Sequence, residues 1–197
     1  MVEIHPKQIN GNWTEGFALD FHTLRSDYIG DDEYGRPQFD TTRSEMGELL
    51  YRLKYKKDES VLGDIITNAS QFIKSTNWPI DLIVSVPPSR KGRLFQPVPH
   101  IAKGIALKLG IDVLEKCVVK VKDTPELKDI FDFKKRLCIL ENAFKIRNPD
   151  VGERTVLLFD DLYRSGATLN VVTRLLREKG KVRDVYTLTL TITRRKR

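Results

Sequence analysis

Residues 156–168 read VLLFDDLYRSGAT, and this stretch decides the fold. Four apolar residues lead into two carboxylates, Asp160 and Asp161, and a turn of small residues then leads into a periodic apolar segment over 167–179. The first part is typical of a buried strand, and the last part is typical of an amphipathic helix that stops at Gly180. In open α/β sheets, ligands bind where such strands end. The stretch therefore predicts a strand–turn–helix unit with a ligand site at its turn.

Strands and helices alternate through much of the rest of the chain. Isoleucine, leucine and valine dominate an apolar run over 80–86, which Pro87 and Pro88 end. Runs of this kind are typical of strands that helices cover on both faces. The other predicted strands lie near 113, 117–121 and 185–192, and the other predicted helices span 44–53, 60–75 and 101–109. This alternation predicts an α/β fold with a mostly parallel sheet flanked by helices.

Residues 1–43 differ in composition from the residues that follow. They carry eight acidic and four basic side chains and many turn-forming residues, and a strand is predicted near their middle. We therefore interpret 1–43 as a small N-terminal β appendage, or hood, and 44–197 as the α/β domain with a basic tail. Two alternatives stay open for the aromatic residues of this segment, packing or stacking on a base: Trp13, Phe17 and Phe21.

The formal charge of +7 is concentrated at the C-terminus. Residues 179–197 hold seven basic side chains and one acidic side chain, and the last four residues are all basic. The rest of the chain is nearly neutral. A nucleic-acid contact is therefore expected only through this tail.

Other classes of protein are excluded by simple features of the sequence. No apolar run approaches the ~20 residues of a membrane helix, and the first six residues lack the layout of a signal peptide. The two cysteines, Cys117 and Cys138, have no spacing that suggests a disulfide framework or a zinc site. Three histidines also lack metal-ligand spacing and are expected to be ordinary exposed or hydrogen-bonded residues: His5, His22 and His100. These features indicate a cytoplasmic protein without a membrane segment.

The turn after Asp161 has the features of a phosphate site. A turn that leads into a helix offers free backbone N–H groups and the positive end of the helix dipole. Gly166 lets the backbone approach a ligand closely, and Ser165 and Thr168 add hydroxyl donors. The carboxylates of Asp160 and Asp161 can accept hydrogen bonds from the vicinal hydroxyls of a sugar. Together these groups suit a ribose 5-phosphate. The alternative is that both aspartates are turn and cap residues of an ordinary loop.

The stretch over 156–168 resembles the phosphoribosyl-pyrophosphate (PRPP) motif of type I phosphoribosyltransferases: four apolar residues, two acids, and a short loop ending Gly-Ala-Thr. Within this family the chain is most similar to the ComF-type proteins, which are associated with competence for DNA uptake. Three further elements carry the second likeness: RLKYK at 52–56, the Val-Pro, basic and Phe-Gln segments between 86 and 96, and Ala-Phe at 143–144. The family implies a parallel α/β core with a hood and a flexible catalytic loop. We place that loop over 122–136, where a solvated charged helix is the alternative.

The resemblance implies a role for each part of the site. Asp160 and Asp161 would bind the ribose hydroxyls as the catalytic pair. Mg²⁺ would lie mainly on pyrophosphate and ribose oxygens, with the same two aspartates as alternative ligands. The pyrophosphate would meet three donors that follow the strand over 80–86: Ser89, Arg90 and Lys91. The 5-phosphate would lie against the five residues of the loop: Arg164, Ser165, Gly166, Ala167 and Thr168.

Arg164 departs from the family pattern, because this chain has Arg164-Ser165-Gly166 where the family commonly has Thr-Thr-Gly. Its guanidinium either adds a charge-assisted bond to the phosphate or partly obstructs the loop. Lys54 and Lys56, within the RLKYK segment, are interpreted as surface charges.

The resemblance implies an Mg²⁺-dependent enzyme that transfers the phosphoribosyl group of PRPP to a nitrogen acceptor. The alternative is a non-catalytic regulator that binds PRPP or a nucleotide, or a ComF-like accessory factor in DNA uptake or processing. The basic tail and Arg164 favour the alternative, whereas the two aspartates and the Gly-Ala-Thr sequence favour the enzyme. The acceptor is not assigned. The oligomeric state is open, with a homodimer as one alternative.

Overall fold

The computed structural model describes residues 2–88, 95–122, 124, 132–147 and 151–194. Its strands are β1 (Lys7–Gln8), β2 (Glu15–Phe21), β3 (Arg25–Asp31), β4 (Pro37–Thr42), β5 (Leu82–Ser85), β6 (Asp112–Val113), β7 (Val118–Lys120), β8 (Phe144–Ile146), β9 (Thr155–Tyr163) and β10 (Asp184–Ile192). Its α-helices are α1 (Glu45–Tyr51), α2 (Leu62–Thr76), α3 (Pro97–Leu109), α4 (Phe133–Leu140) and α5 (Ala167–Glu178). A π-helical turn, Arg52–Lys56, continues α1, and a 3₁₀ turn, Glu59–Val61, leads into α2.

A six-stranded sheet forms the centre of the molecule, in the order β1-β2-β10-β9-β5-β6. Its strands run parallel to their neighbours except β1, which is antiparallel to β2. Two small antiparallel sheets, β3–β4 and β7–β8, lie outside it. The predicted α/β fold with a mostly parallel sheet flanked by helices is therefore confirmed.

Both faces of β9 are buried by helices. Its side chains alternate between two apolar clusters, because successive residues of a strand point to opposite faces of the sheet. Val156 and Leu158 pack in the cluster that contains α5, whereas Leu157 and Phe159 pack in the cluster that contains α1, α2 and α3. This double burial explains why the sequence is continuously apolar until Asp160.

At its carboxyl end, β9 extends beyond its neighbour β5. The last residue of β5, Ser85, pairs with Phe159, whereas β9 continues beside β10 as far as Tyr163. On its other side, β10 pairs with the end of β2. Asp160 and Asp161 therefore lie at the edge of the sheet where ligands bind in folds of this class.

The N-terminal residues divide between the central sheet and a separate hairpin. Strand β2 lies inside the sheet and pairs with β10 from Glu15 opposite Tyr186 to Phe21 opposite Ile192. Strands β3 and β4 form a largely exposed hairpin outside the sheet. These extra antiparallel strands fit the expected appendage, although β2 belongs to the central sheet. The division of the chain at residue 43 stays a prediction.

The predicted helices are present with shifted ends. Ser44 caps α1, because its hydroxyl accepts a hydrogen bond from the N–H of Gly47 at 3.0 Å. Helix α3 begins at Pro97, earlier than predicted, with a proline in its first turn. Helix α4 occupies the end of the charged stretch over 122–136, of which residues 123 and 125–131 lie outside the described residues. Over the described ranges, no helix has both the length and the apolar character that a membrane crossing requires.

Candidate functional site

The junction between β9 and α5 forms a tight turn at Gly166. This residue has φ of 75°, in the left-handed region that favours glycine. A Cβ atom at this position would lie 2.8 Å from Cε2 of the Tyr163 ring. The turn leads directly into α5, which begins without a side-chain cap. The positive end of the α5 dipole therefore lies at this turn, where an anion is favoured, and the Ala167 N–H donates to the Ser165 hydroxyl at 3.4 Å.

A pocket of about 120 Å³ opens at this junction. The predicted phosphate loop supplies half of its lining, and β9, α4 and α5 supply the rest. The lining consists of Arg136, Asp160, Leu162, Tyr163, Arg164, Ser165, Gly166, Ala167, Thr168 and Leu169. The structure thus brings Asp160 and all five predicted phosphate-binding residues into one cavity.

Two guanidinium groups make this pocket electropositive. Arg164 is exposed on the loop, whereas Arg136 projects from α4 and is only 8% exposed. Burial and the nearby charge of Arg164 both lower the pKa of Arg136. Two like charges this close together suit a doubly charged phosphate. The sequence leaves a closing loop and a charged helix open for the stretch that contains Arg136, and the structure places Arg136 in helix α4, which lines the pocket.

Asp160 lies at the wall of the pocket in an environment that disfavours its charge. Burial and the neighbouring charge of Asp161 raise the pKa of Asp160 to about 7. The backbone N–H of Asp161 donates to Oδ1 of Asp160 at 2.8 Å and acts in the opposite direction. Near neutral pH, Asp160 can therefore both donate and accept a hydrogen bond.

Asp161 is held by Lys54 on the other side of the strand. The Lys54 ammonium donates to Oδ2 of Asp161 at 2.8 Å, and the two side chains are only 18% and 15% exposed. Burial alone would lower the pKa of Lys54, but the charge and hydrogen bond of Asp161 outweigh it and raise this pKa. The interpretation of Lys54 as a surface charge is therefore wrong. Lys56, two residues later, is exposed as expected.

His22 is a further neighbour of the acidic pair. Burial and the charges of Lys54 and Arg43 lower the pKa of His22, so its ring is neutral at pH 7. Nδ1 of His22 lies 3.3 Å from the Thr191 hydroxyl, which donates to the backbone carbonyl of Asp161 at 3.2 Å. The sequence predicts an ordinary hydrogen-bonded or exposed histidine here, and the hydrogen bond is present.

Two aromatic residues of the N-terminal segment, Trp13 and Phe17, pack against the body of the protein. The Trp13 ring meets the Tyr163 ring edge-on at 6.4 Å, and its indole N–H donates to the carbonyl of Ile9. The Phe17 ring contacts the Phe72 ring at 5.4 Å. Packing is therefore the correct alternative for Trp13 and Phe17. The Trp13 contact also supports the start of the phosphate loop through Tyr163.

The predicted pyrophosphate donors, Ser89, Arg90 and Lys91, lie outside the described residues, so their role stays a prediction. The donor set that is described fits an Mg²⁺ ion carried by ligand oxygens. Carboxylate oxygens suit this ion, but one Asp161 oxygen already accepts a hydrogen bond from Lys54 and burial disfavours the Asp160 charge. In the described ranges, no three acidic, histidine or cysteine side chains gather into a metal-binding group.

The sequence signal for Lys54 and Arg136 is weak. Neither residue lies within the motif over 156–168, and Lys54 reaches Asp161 across 107 positions of the chain. Lys54 does fall in the RLKYK segment that carries part of the family likeness, and this segment is the signal that could have found it. For Arg136, the one hint is its place in the charged stretch before the motif.

Comparison with solved structures gives matches across most of the chain at low sequence identity. An adenine phosphoribosyltransferase from Trypanosoma brucei, solved with AMP, pyrophosphate and ribose-5-phosphate, matches with a TM-score of 0.51 and 15% identity, covering 96% of this chain and 87% of that one. The adenine phosphoribosyltransferase from Leishmania tarentolae matches with a TM-score of 0.48 and 13% identity, covering 95% and 94%. The enzyme from Saccharomyces cerevisiae matches with a TM-score of 0.47 and 14% identity, covering 85% of each chain.

Sequence comparisons add no match, since no family model and no curated protein corresponds to the chain. The comparison therefore rests on the similarity of the folds. The chain has a mixed α/β fold, with a mostly parallel central sheet flanked by helices, that is similar to the fold of the Trypanosoma brucei adenine phosphoribosyltransferase.

Proposed function

We propose that this protein binds PRPP and transfers its phosphoribosyl group to a nitrogen acceptor, with release of pyrophosphate. The observation that carries the proposal is the β9–α5 junction. There the carboxyl of Asp160 and a glycine turn into a helix N-terminus line one pocket. A carboxyl that can form hydrogen bonds with sugar hydroxyls thus lies beside an anion site, as binding of a ribose 5-phosphate requires.

The phosphate end of the ligand would occupy the loop. The first residues of α5 line the pocket together with Ser165, so backbone N–H groups and the hydroxyls of Ser165 and Thr168 would be the donors to the phosphate. The guanidiniums of Arg164 and Arg136 supply charge-assisted donors. Of the two alternatives for Arg164, the electropositive lining supports an added phosphate bond.

The sugar would meet the two aspartates at the end of β9. Asp161 is paired with Lys54 and would accept from a hydroxyl, whereas Asp160 near neutral pH can donate or accept. Vicinal hydroxyls each carry one donor and two acceptor sites, so this unequal pair of carboxyls matches a diol. The sugar ring would then bridge the pocket and the adjacent sheet edge.

The reaction breaks the bond between C1 of the ribose and a pyrophosphate oxygen, and a nitrogen lone pair forms the new bond to C1. The electron pair of the broken bond leaves with the pyrophosphate. The carboxyl oxygens of Asp160 and Asp161 at the end of β9 would face the positive charge that develops at C1 and stabilise it as hydrogen-bond acceptors and dipoles. Mg²⁺ on the ligand oxygens would neutralise the leaving group, and Ser89, Arg90 and Lys91 are the proposed donors to it.

A ComF-like accessory role in DNA uptake or processing is the alternative to this proposal, and the proposal assigns no acceptor. The basic tail is described only to Arg194, whose guanidinium stacks over the Phe21 ring at 4.7 Å. A nucleic-acid contact through the tail would weaken steeply with added salt. Removal of residues 194–197 tests it, because binding to DNA should then disappear.

A pyrophosphate-release assay tests the transfer. PRPP, Mg²⁺ and a panel of nitrogen heterocycles are incubated with the wild-type chain and with the double variant Asp160→Asn, Asp161→Asn. We expect release with at least one acceptor and none from the variant. A double variant at two exposed acids, Asp112 opposite the start of β5 and Glu178 at the far end of α5, is the matched control: Asp112→Asn with Glu178→Gln should keep full activity. PRPP binding without release from the wild type would contradict transfer and indicate a binding module.

A further inference from the structure

A π-helical turn delivers Lys54 to the acidic pair. The turn, Arg52–Lys56, continues α1 and ends at Lys57, which has a left-handed backbone with φ of 56°. The Arg52 guanidinium donates to Asp58 just beyond it, with Nε at 2.9 Å from Oδ2. Single π-turns are rare and occur frequently at functional sites. This one lies at the end of the helix that leads to the sheet edge.

Two neighbouring side chains of the turn, Leu53 and Lys54, point to different surroundings. Leu53 is buried in the apolar cluster with 1% exposure, whereas Lys54 extends to the carboxylate of Asp161. The alternation along β9 explains why Asp161 is the partner. Asp161 shares a face with Leu157 and Phe159, which pack against α1, whereas Asp160 shares the opposite face with Leu158. Lys54 therefore contacts one aspartate and the ligand pocket contains the other.

Both ends of the Lys54–Asp161 pair are fixed to the sheet. Helix α1 begins with Ser44, whose hydroxyl donates to the carbonyl of Phe21 at the end of β2. The helix then packs so closely that a Cβ at Gly47 would collide with the carbonyl oxygen of His22. On the other side, the Thr191 hydroxyl of β10 holds the backbone carbonyl of Asp161. The position of the ammonium relative to Asp161 is thus set by the fold.

We propose that Lys54 is a positioning residue that orients the Asp161 carboxylate toward the ribose hydroxyls of the ligand. This inference rests on the proposed function. The ammonium donates to Oδ2 of Asp161 at 2.8 Å, so Oδ1 is the oxygen that would accept a hydrogen bond from a ribose hydroxyl. The opposite role, in which Lys54 withholds Asp161 from the ligand, requires the ion pair to break on binding and predicts the opposite effect of its removal.

Calorimetry with two probes tests this role. Ribose 5-phosphate needs both the phosphate loop and the aspartates, whereas inorganic phosphate needs only the loop. We expect Lys54→Met to weaken ribose 5-phosphate binding about tenfold, the effect of losing one charge-assisted hydrogen bond. Binding of inorganic phosphate should stay unchanged. The Lys54→Met variant should also prefer ribose 5-phosphate over 2-deoxyribose 5-phosphate less strongly than the wild type does.

Three companion variants sharpen the test. Lys54→Arg keeps the charge and should restore most of the affinity, and Lys54→Gln replaces Lys54→Met if that variant does not fold. Lys56→Met removes an exposed lysine from the same turn and should behave as wild type. Unchanged or tighter ribose 5-phosphate binding by Lys54→Met would overturn the role assigned to Lys54 and would leave the proposed function standing. If the wild-type chain binds no sugar phosphate, the proposed function fails and the assignment fails with it.

Discussion

The backbone N–H of Asp161 donates a hydrogen bond to Oδ1 of Asp160 at 2.8 Å, while Oδ2 of Asp161 accepts one from the Lys54 ammonium at 2.8 Å. The two acids are adjacent in the chain but occupy different environments. Asp160 faces the pocket and tends to keep its proton, whereas Asp161 is charged and paired. Adjacent carboxyls in such unequal environments are typical of sites that bind and stabilise a reacting group.

The first prediction concerns the stability cost of Asp160. Between its ordinary pKa of 3.8 and its folded value of about 7, the folded chain keeps a proton that the unfolded chain has lost. Proton binding by Asp160 therefore stabilises the folded state fully below about pH 4. This stabilisation is lost as the pH rises to about 7, and above that pH the contribution of the Asp160 carboxyl to the free energy of unfolding no longer changes. Asp160→Asn removes the penalty and should stabilise the protein at pH 8 by about 2 kcal/mol or more, with little effect at pH 4.

Thermal melts from pH 4 to pH 9 measure this effect. The melting temperature of Asp160→Asn should rise above that of the wild type as the pH increases, by about 4 °C or more at pH 8. Asp40→Asn, at an exposed site, should follow the wild-type curve. Parallel curves for Asp160→Asn and the wild type across the whole range would contradict the environment assigned to Asp160.

The second prediction concerns the turn at Gly166. Gly166→Ala places a Cβ against the Tyr163 ring in a left-handed backbone and should destabilise the fold by about 1–2 kcal/mol. It should also weaken phosphate binding, because the loop must shift away from α5. Gly63→Ala is the matched control, since nothing lies within 4 Å of its Cβ and the site is in a helix. That change should be neutral or stabilising in a denaturant melt, and equal effects of the two changes would refute the role of the turn.

The third prediction concerns Arg164. Removing its guanidinium by Arg164→Ala should weaken binding of inorganic phosphate about three- to tenfold at low salt, because one charge-assisted donor is lost. The difference should shrink as ionic strength rises. Lys74→Ala removes an exposed positive charge from α2 and should leave phosphate affinity unchanged. Tighter phosphate binding by Arg164→Ala would show that this side chain obstructs the loop instead.

The fourth prediction concerns the metal ion. Binding of ribose 5-phosphate should be nearly the same in Mg²⁺ and in a chelator, because Lys54 already balances Asp161 and the ligand has no pyrophosphate. Binding of PRPP should be stronger in Mg²⁺, since the ion neutralises the pyrophosphate. Isothermal titrations of both ligands in the two buffers compare these cases. Equal dependence of both ligands on Mg²⁺ would indicate that the ion binds the aspartates directly.

Much of the fold follows from short-range patterns in the sequence. The continuous apolar run before Asp160 predicts a strand buried on both faces, and the periodic run from Ala167 predicts the helix that covers it. The place of β2 inside the sheet could not be predicted in the same way. Strand pairing between residues such as Phe17 and Leu188 joins distant parts of the chain, and no local pattern encodes it.

The site, like the fold, has a part that local sequence patterns predict and a part that they do not. The phosphate loop is contiguous in the chain, so its local pattern alone predicts that residues 164–168 act together. Lys54 and Arg136 reach the site from the π-helical turn after α1 and from α4, and their side chains look like ordinary surface charges in the sequence. Lysine and arginine are mostly exposed in proteins, so burial beside a carboxylate becomes visible only once the helices are placed.

Isothermal titration of PRPP with Mg²⁺ is the measurement that tests the central claim most directly. The wild-type chain should bind PRPP at a single site. The double variant Asp160→Asn, Asp161→Asn should lose this binding while it still folds, as a thermal melt can verify. Absence of any PRPP binding by the folded wild-type chain, or equal binding by the double variant, would contradict the assignment of the β9–α5 junction as the ligand site.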